Sequence, residues 1–383
     1  VIDMAVQYLE DSPEIATLAP DAVRTKLRDA FALLPINRVL LGWHLPTPLV
    51  RACREETTRA NAHLYRWHPL LTGDGELLPR PEWQTIGLHD EPVPGFQDMA
   101  EFTFICPNRP AVQEAVLTHL YALIRQGEYD GVFLDRMRWP SPAADPGRWL
   151  ACFCGDCQRA AQAVGLDLVA TQRSIQQLLT TPMHLNSFVH MLLDSRAERV
   201  YDPALAPFQA CLDFRRQSIT RFVQTAAALI HGEGLAVGLD CFSPALTGMV
   251  GQDLAALDAC AEWTKVMTYC HTLGPAGLPF ELLALTDWLS KQYQVPEAQA
   301  LTWLAQATGL PLPTSRAALQ QNGLPASALP LEMVRARRAG VTSLLAGVEL
   351  VEIPGVATLT ATQIEADHRA LRQSPIDGLA LSW

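Results

Sequence analysis

Residues 131–142 read GVFLDRMRWPSP, and residues 152–157 read CFCGDC. The first segment is an apolar run, Val132-Phe133-Leu134, that ends on a carboxylate, Asp135, with Arg136 and Arg138 just beyond it. Such a run predicts a β-strand covered on both faces, as in a parallel sheet. A carboxylate where that strand ends is placed for proton transfer or nucleophilic attack. The second segment spaces Cys152, Cys154 and Cys157 as C-x-C-x-x-C. Three thiolates so spaced reach one tetrahedral Zn(II), with Cys211, Cys106 or a histidine as fourth ligand. Reduced thiols that pin a loop by packing, or a disulfide, are the other readings. A thiolate-rich site predicts a structural metal and no cofactor in the chemistry itself. The spacing differs from the C-x3-C-x2-C of radical iron–sulfur enzymes.

The elements that must position these groups alternate along the chain. Short apolar strands are expected at 2–9, 37–43, 61–68, 130–136, 235–241, 264–270, 342–350 and 377–382. Between them, apolar positions recurring at three and four predict helices at 20–33, 46–59, 109–126, 207–231 and 360–373, as with Val112, Val116, Leu120 and Ile124. Eight strands alternating with helices predict an α/β fold, a closed (β/α)8 TIM barrel. An open doubly wound sheet is the competitor, but the Gly-rich phosphate turn expected after its first strand is missing. The whole of 1–383 reads as one catalytic barrel domain. Two long connections, 69–105 after strand three and 137–205 after strand four, read as inserts over the C-terminal face. The latter carries a helical stretch near 170–194. The Pro-rich stretch 306–330 reads as a surface excursion before a helix at 330–339.

In a barrel the strand ends converge on one face. Reading each strand to its C-terminal end gives Tyr8, Glu10, Trp43, His44, Trp67, His68, Asp135, Arg138, Asp240, Tyr269, His271, Glu349, Glu352 and Trp383. Aromatic faces stack on the C–H surface of sugar rings, and paired carboxylates cleave glycosidic bonds. Asp135, Glu349 and Asp240 are the catalytic candidates. Trp43, His44, His68, Arg138, Tyr269, His271 and Trp383 are the substrate-binding candidates. Each also has a plainer reading: the aspartates as turn or helix caps, the tryptophans as core plugs, the histidines as bonded rim residues. Glu352 has the opposite parity to Glu349 on an extended chain and belongs on the rim.

The composition agrees with a large soluble core, 49% hydrophobic and 18% charged over 383 residues. A net charge of −11 with no dense run of Lys and Arg argues against nucleic acid as the partner. No stretch of about 18 apolar residues suggests a membrane span. Nine cysteines, six of them scattered, point to reduced thiols. The localisation is left unknown, with reduced-looking cysteines and no signal peptide in the sequence favouring a cytoplasmic setting.

YDGVFLD (129–135) leading into CFCGDC resembles the strand-four signature of uncharacterised glycoside-hydrolase-like TIM barrels, D-G-[IV]-x-[FL]-D followed by C-x-C-x-x-C. GLDCFSP (238–244), KVMTYCHTLGP (265–275), GVELVEIPG (347–355) and DGLALSW (377–383) are similar to the later strands of that group. The resemblance covers strands four to eight, about two thirds of the chain, and implies a glycosidase-like barrel with a carbohydrate substrate. Glycosidases with the acid/base on strand four and the nucleophile on strand seven would map onto Asp135 and Glu349. Their Asn-Glu pair is here Leu134-Asp135. Amylase-like barrels would make Asp135 the nucleophile and leave the acid to Asp240 or Glu349. The alternatives are a catalytically silent carbohydrate-binding barrel and a metal-dependent hydrolase of another bond. The latter wants His-x-His on strand one, where this chain has Ile2-Asp3-Met4-Ala5.

Overall fold

A computed structural model describes residues 3–9, 13–193 and 203–382. Eight strands form a closed, all-parallel barrel in chain order: β1 (Asp3–Tyr8), β2 (Arg38–Leu41), β3 (His63–Pro69), β4 (Gly131–Asp135), β5 (Ala236–Phe242), β6 (Trp263–Met267), β7 (Leu344–Glu349) and β8 (Gly378–Ser382). β8 pairs back to β1 through Asp3 and Gly378. All eight lie where the apolar runs put them, within a few residues at each end. The helices Pro20–Leu33, Thr47–Arg59, Pro110–Gln126, Ala206–Gly232 and Ala361–Leu371 also match. Pro20 and Pro110 open theirs at a position whose N–H has no intrahelical partner anyway. No helix among the described residues is long and apolar enough to cross a membrane.

Alternation along each strand sends one set of side chains to the barrel axis and the other to the helices. The axial set is Ala5, Leu40, Trp43, Tyr65, Trp67, Phe133, Trp263, Leu345 and Ala380. Phe133 stacks on Trp263 at 5.1 Å, and Tyr65 meets the same indole edge-on at 5.4 Å. Glycines on the neighbouring strands make room for these rings. A Cβ at Gly238 would lie 2.2 Å from Trp263, and one at Gly131 2.3 Å from Tyr65. The axis is therefore packed solid, and the chemistry must sit above it.

Two departures have local causes. The stretch 170–194 is two helices, Leu168–Leu178 and Leu185–Leu193. Pro182 interrupts them, because it lacks an N–H and disfavours helical geometry at Thr181. The connection from β6 to β7 is also long and carries the helices Leu278–Tyr293, Glu297–Thr308, Arg316–Asn322 and Ala328–Arg338. Leu278–Tyr293 lacks a single apolar stripe because it is covered on several sides, with Leu282, Leu283, Leu285, Thr286, Trp288 and Leu289 all buried.

Candidate active site

The barrel mouth is built by continuing the axial parity one step beyond the packed rings. Asp135 follows Phe133 by two residues, Lys265 follows Trp263, Gln7 follows Ala5 and Ser382 follows Ala380. Asp240 follows Gly238 by two, and Glu349 follows Leu345 by four. Register places these groups side by side. Leu134 pairs with Leu239, which sets Asp135 and Asp240 at one level on neighbouring strands. Asp240 pairs with Lys265, and Glu349 with Ser382. The three carboxylates are 9%, 2% and 4% exposed for Asp135, Asp240 and Glu349.

Each carboxylate has a different set of partners. Asp135 accepts from the Trp67 indole N–H at 3.0 Å and from the backbone N–H of Arg136. Asp240 accepts from the Lys265 ammonium at 3.0 Å. Glu349 accepts from the backbone N–H of His271 at 2.6 Å. Burial pushes the Asp240 carboxyl up to about 7, Lys265 opposing and Asp135 reinforcing the rise. Burial likewise lifts Glu349 to about 7, against the pull of His271. Asp240 is close enough to Asp135 to feel its charge, Glu349 ends another strand of the same mouth, and carboxyls raised towards neutrality suit acid–base chemistry at ordinary pH.

The connections after β3 and β4 interlock above this set. Arg136 lies 4.0 Å from the Phe102 ring centroid and bonds the Glu101 carbonyl at 3.0 Å. Arg138 is sandwiched between Phe104 at 4.5 Å and Phe242 at 4.4 Å. Burial lowers Arg138 to about 10, while Glu281, Asp135 and Asp240 support its charge. Glu281, at the start of the helix Leu278–Tyr293, accepts from Ser141 beyond β4 and is itself pushed up by burial.

The remaining sequence candidates lie in several places. Trp43 is axial and meets Trp67 edge-on at 5.0 Å. Tyr269 bonds Lys265 at 2.8 Å in the mouth. His44 is exposed and packs on the loop after β3, where a Cβ at Gly75 would lie 2.9 Å from its ring. His68 points outward from β3 towards the helix Pro110–Gln126, its ring 6.2 Å from that of His119. Burial drives His68 down to about 3, so it is a neutral imidazole behind the barrel. Tyr8 is outward too, within the cluster that holds Val23, Leu27 and Cys53. The His271 imidazole turns to Asp367 at 2.9 Å, on a cavity of about 860 Å³ between the connections after β6 and β7. Glu352 is exposed. Glu10 and Trp383 lie outside the described residues. Lys265, Gln7 and Glu281 escaped the sequence reading. The signal for Lys265 was a lone cation inside the apolar strand WTKVM, since a lysine is buried only when paired.

Cys106 joins Cys152, Cys154 and Cys157 in one buried cluster, with all four sulfurs within 4.8 Å of one another. Cys106 lies 3.4 Å from Cys157 and 3.7 Å from Cys154. Four sulfurs about 2.3 Å from a central Zn(II) lie about 3.8 Å apart in a tetrahedron. The backbone N–H of Ile86 and the Asn108 side-chain amide donate to Cys152 and Cys157 at 3.3 and 3.4 Å. Donors from Cys106, Cys152 and Cys157 hold the Cys154 thiol far below its ordinary range, whereas burial raises Cys106 and Cys157. A metal ion among the four sulfurs would take them as thiolates. Cys211 is buried elsewhere and is outside the cluster. All nine cysteines are free thiols.

No protein-family model and no curated protein matches this sequence. The fold is similar to solved enzymes. One is the PgaB (BpsB) glycoside hydrolase domain from Bordetella bronchiseptica, with a TM-score of 0.51 and 12% identity over 100% of this chain and 93% of that one. Another is alpha-L-fucosidase isoenzyme 2 from Paenibacillus thiaminolyticus, with 0.54 and 11% over 100% of this chain and 46% of that one. A third is the beta-galactosidase from the psychrophilic Marinomonas ef1, with 0.57 and 10% over 100% of this chain and 54% of that one. The chain thus spans about half the length of the latter two. At these identities the likeness is one of fold: this chain shares the (β/α)8 barrel of solved glycoside hydrolases.

Proposed function

We propose that this protein is a glycoside hydrolase whose carbohydrate substrate enters the barrel mouth at Asp135, Asp240 and Glu349. The observation that carries the reading is three buried carboxylates on axial positions of one mouth, two of them held near neutrality. Asp135, oriented by Trp67 and the Arg136 N–H, acts at the anomeric carbon, directly or through a water. Glu349 holds its proton by burial and delivers it to the leaving oxygen. Asp240, bound to an ammonium, is the poorer proton donor. Trp43, Arg138 and Tyr269 line the approach. The fold shared with glycoside hydrolases supports the reading, and the resemblance of strands four to eight points the same way.

The test is hydrolysis of a panel of aryl glycosides and oligosaccharides by the parent, Asp135→Asn and Glu349→Gln. Full activity in both variants would overturn the assignment of this pair. A parent that binds glycans unchanged by either substitution and hydrolyses none would make it a silent binding barrel.

We also propose that Cys106, Cys152, Cys154 and Cys157 hold one structural Zn(II). A closed set of four thiolates leaves no open position for a substrate, so the metal's role is to clasp two connections together.

A further inference from the structure

Lys265 is a charged side chain whose stem runs through the packed axis of the barrel. It is 0% exposed, and its ammonium donates to Asp240 at 3.0 Å, Tyr269 at 2.8 Å and Gln7 at 3.0 Å. Three acceptors from three directions use all three of its protons. The stem has a built passage: a Cβ at Gly347 on β7 would lie 2.5 Å from the Lys265 Cε. A buried lysine with a single weak partner gives up its proton. This one has a carboxylate, a phenol and an amide oxygen converging on it.

We propose that Lys265 is the positioning residue of this site: its ammonium fixes the Asp240 carboxylate and the Tyr269 hydroxyl in one orientation and keeps Asp240 out of the proton-donor role that Glu349 takes. The titratable groups facing Asp240, among the described residues, are Lys265 and Tyr269 on β6 and its exit, and Asp135 and Arg138 on β4 and its exit. Asp135 and the buried surroundings both favour a proton on Asp240. Arg138 opposes them from within its sandwich of rings, without a hydrogen bond to Asp240. Lys265 is the cation in direct contact, so it is the strongest pull towards the ionised carboxylate. Burial works against the charge of Lys265 as well, but Asp240 and Tyr269 hold it above its ordinary range, so the pair is mutually dependent.

The inference rests on the glycosidase reading for its kinetic arm only. In the full chain labelled with 13C-aspartate, the Asp240 carboxyl resonance is the one lost in Asp240→Asn. Lys265→Met is expected to raise its titration midpoint by about 1–3 pH units, the loss of one opposite charge in contact. Lys265→Arg, which keeps the charge, is expected to shift it far less. In the kinetic arm, Lys265→Met lowers kcat at least about tenfold, with KM near the parent's, and moves the acid limb of the pH–rate profile up by the same interval. Lys265→Arg restores part of both. A residue needed only for packing would move neither the midpoint nor the limb. Should Lys265→Met fail to fold, 15N spectra of the parent still decide: an ammonium Nζ throughout pH 5–10 supports the inference, and a neutral amine near pH 7 overturns it. A parent that hydrolyses no glycoside but shows the Asp240 shift leaves the inference standing and removes the glycosidase reading. An active parent whose Lys265→Met variant shows no shift in either measurement overturns the inference alone.

Discussion

Removing the proposed zinc has a consequence that can be worked from the positions of its ligands. Cys106 ends the connection after β3, and Cys152 lies in the connection after β4, so the metal closes a loop of about 46 residues. Cross-linking a loop of that length removes about 4 kcal/mol of chain entropy from the unfolded state. Unfolding a chain of this size carries an entropy of about 0.8 kcal/mol/K, so stripping the metal should lower Tm by about 5 °C. Leaving four buried thiols without their cation adds to that figure. The assay is elemental analysis of protein purified without chelator, followed by thermal unfolding before and after chelation. One zinc per chain is expected, released with a drop in Tm that zinc alone restores. Cys106→Ser should lose the metal and show the lower Tm without chelator, whereas Cys211→Ser should keep the metal. Metal-free protein with four titratable thiols, and a Tm indifferent to chelator and to added zinc, would refute the clasp.

Asp135→Asn and Glu349→Gln are each expected to cost several orders of magnitude in kcat, with unchanged circular dichroism. With Glu349 protonated up to about pH 7, hydrolysis should fall as pH rises through about 7, and Glu349→Gln should abolish that limb in whatever activity remains. Stability carries the same signature. The folded state keeps a proton on Glu349 that the unfolded state releases in the ordinary carboxylate range. Stability should therefore decline as pH climbs from that range to about 7, and urea titrations of Glu349→Gln should show a flatter dependence. Trp67→Phe removes one of the two N–H donors from Asp135 and is expected to lower kcat about tenfold with little change in KM, read from steady-state kinetics.

The barrel was legible because it depends on a coarse signal. Each apolar run between amphipathic stretches has one consequence for packing, whichever residue begins it. Asp135, Asp240 and Glu349 were legible for a related reason, since each ends a run whose neighbours are all apolar. Parity was the weak point. His68 and Tyr8 lie one residue from the axial positions Trp67 and Gln7, and a period of two sends them to opposite faces. Lys265 sits mid-strand, below where a search of strand ends looks. Cys106 stood only among several possible fourth ligands, because nothing local ties it to a motif that follows more than forty residues later. The helices after β6 were hidden for a different reason: an element covered on most sides has no polar face to set its period against.

The proposed clasp and the proposed chemistry meet in the same two connections. The connection after β3 brings Phe102 and Phe104 over the mouth and ends at Cys106. The connection after β4 begins with Arg136 and Arg138 and reaches Cys152, Cys154 and Cys157. The two connections also interlock through backbone hydrogen bonds from Leu88 to Arg148 and from Phe153 to Ile86, through an Arg148–Glu91 ion pair, and, over the mouth, through bonds from Arg136 to Thr72 and Glu101 and cation–π contacts. Over the mouth itself the cation–π contacts contribute about 0.5–2 kcal/mol each. Arg138 donates to the Trp139 carbonyl at 3.1 Å and, with no carboxylate bonded to it among the described residues, takes the rest of its support from the two rings that flank it, Phe104 and Phe242. Phe104 stands two residues before Cys106. A metal that fixes Cys106 against the β4 connection thus fixes the ring that seats Arg138, and Arg138 in turn opposes the burial that favours a proton on Asp240. The cysteines sit apart from the reacting groups, yet they constrain the charges around them.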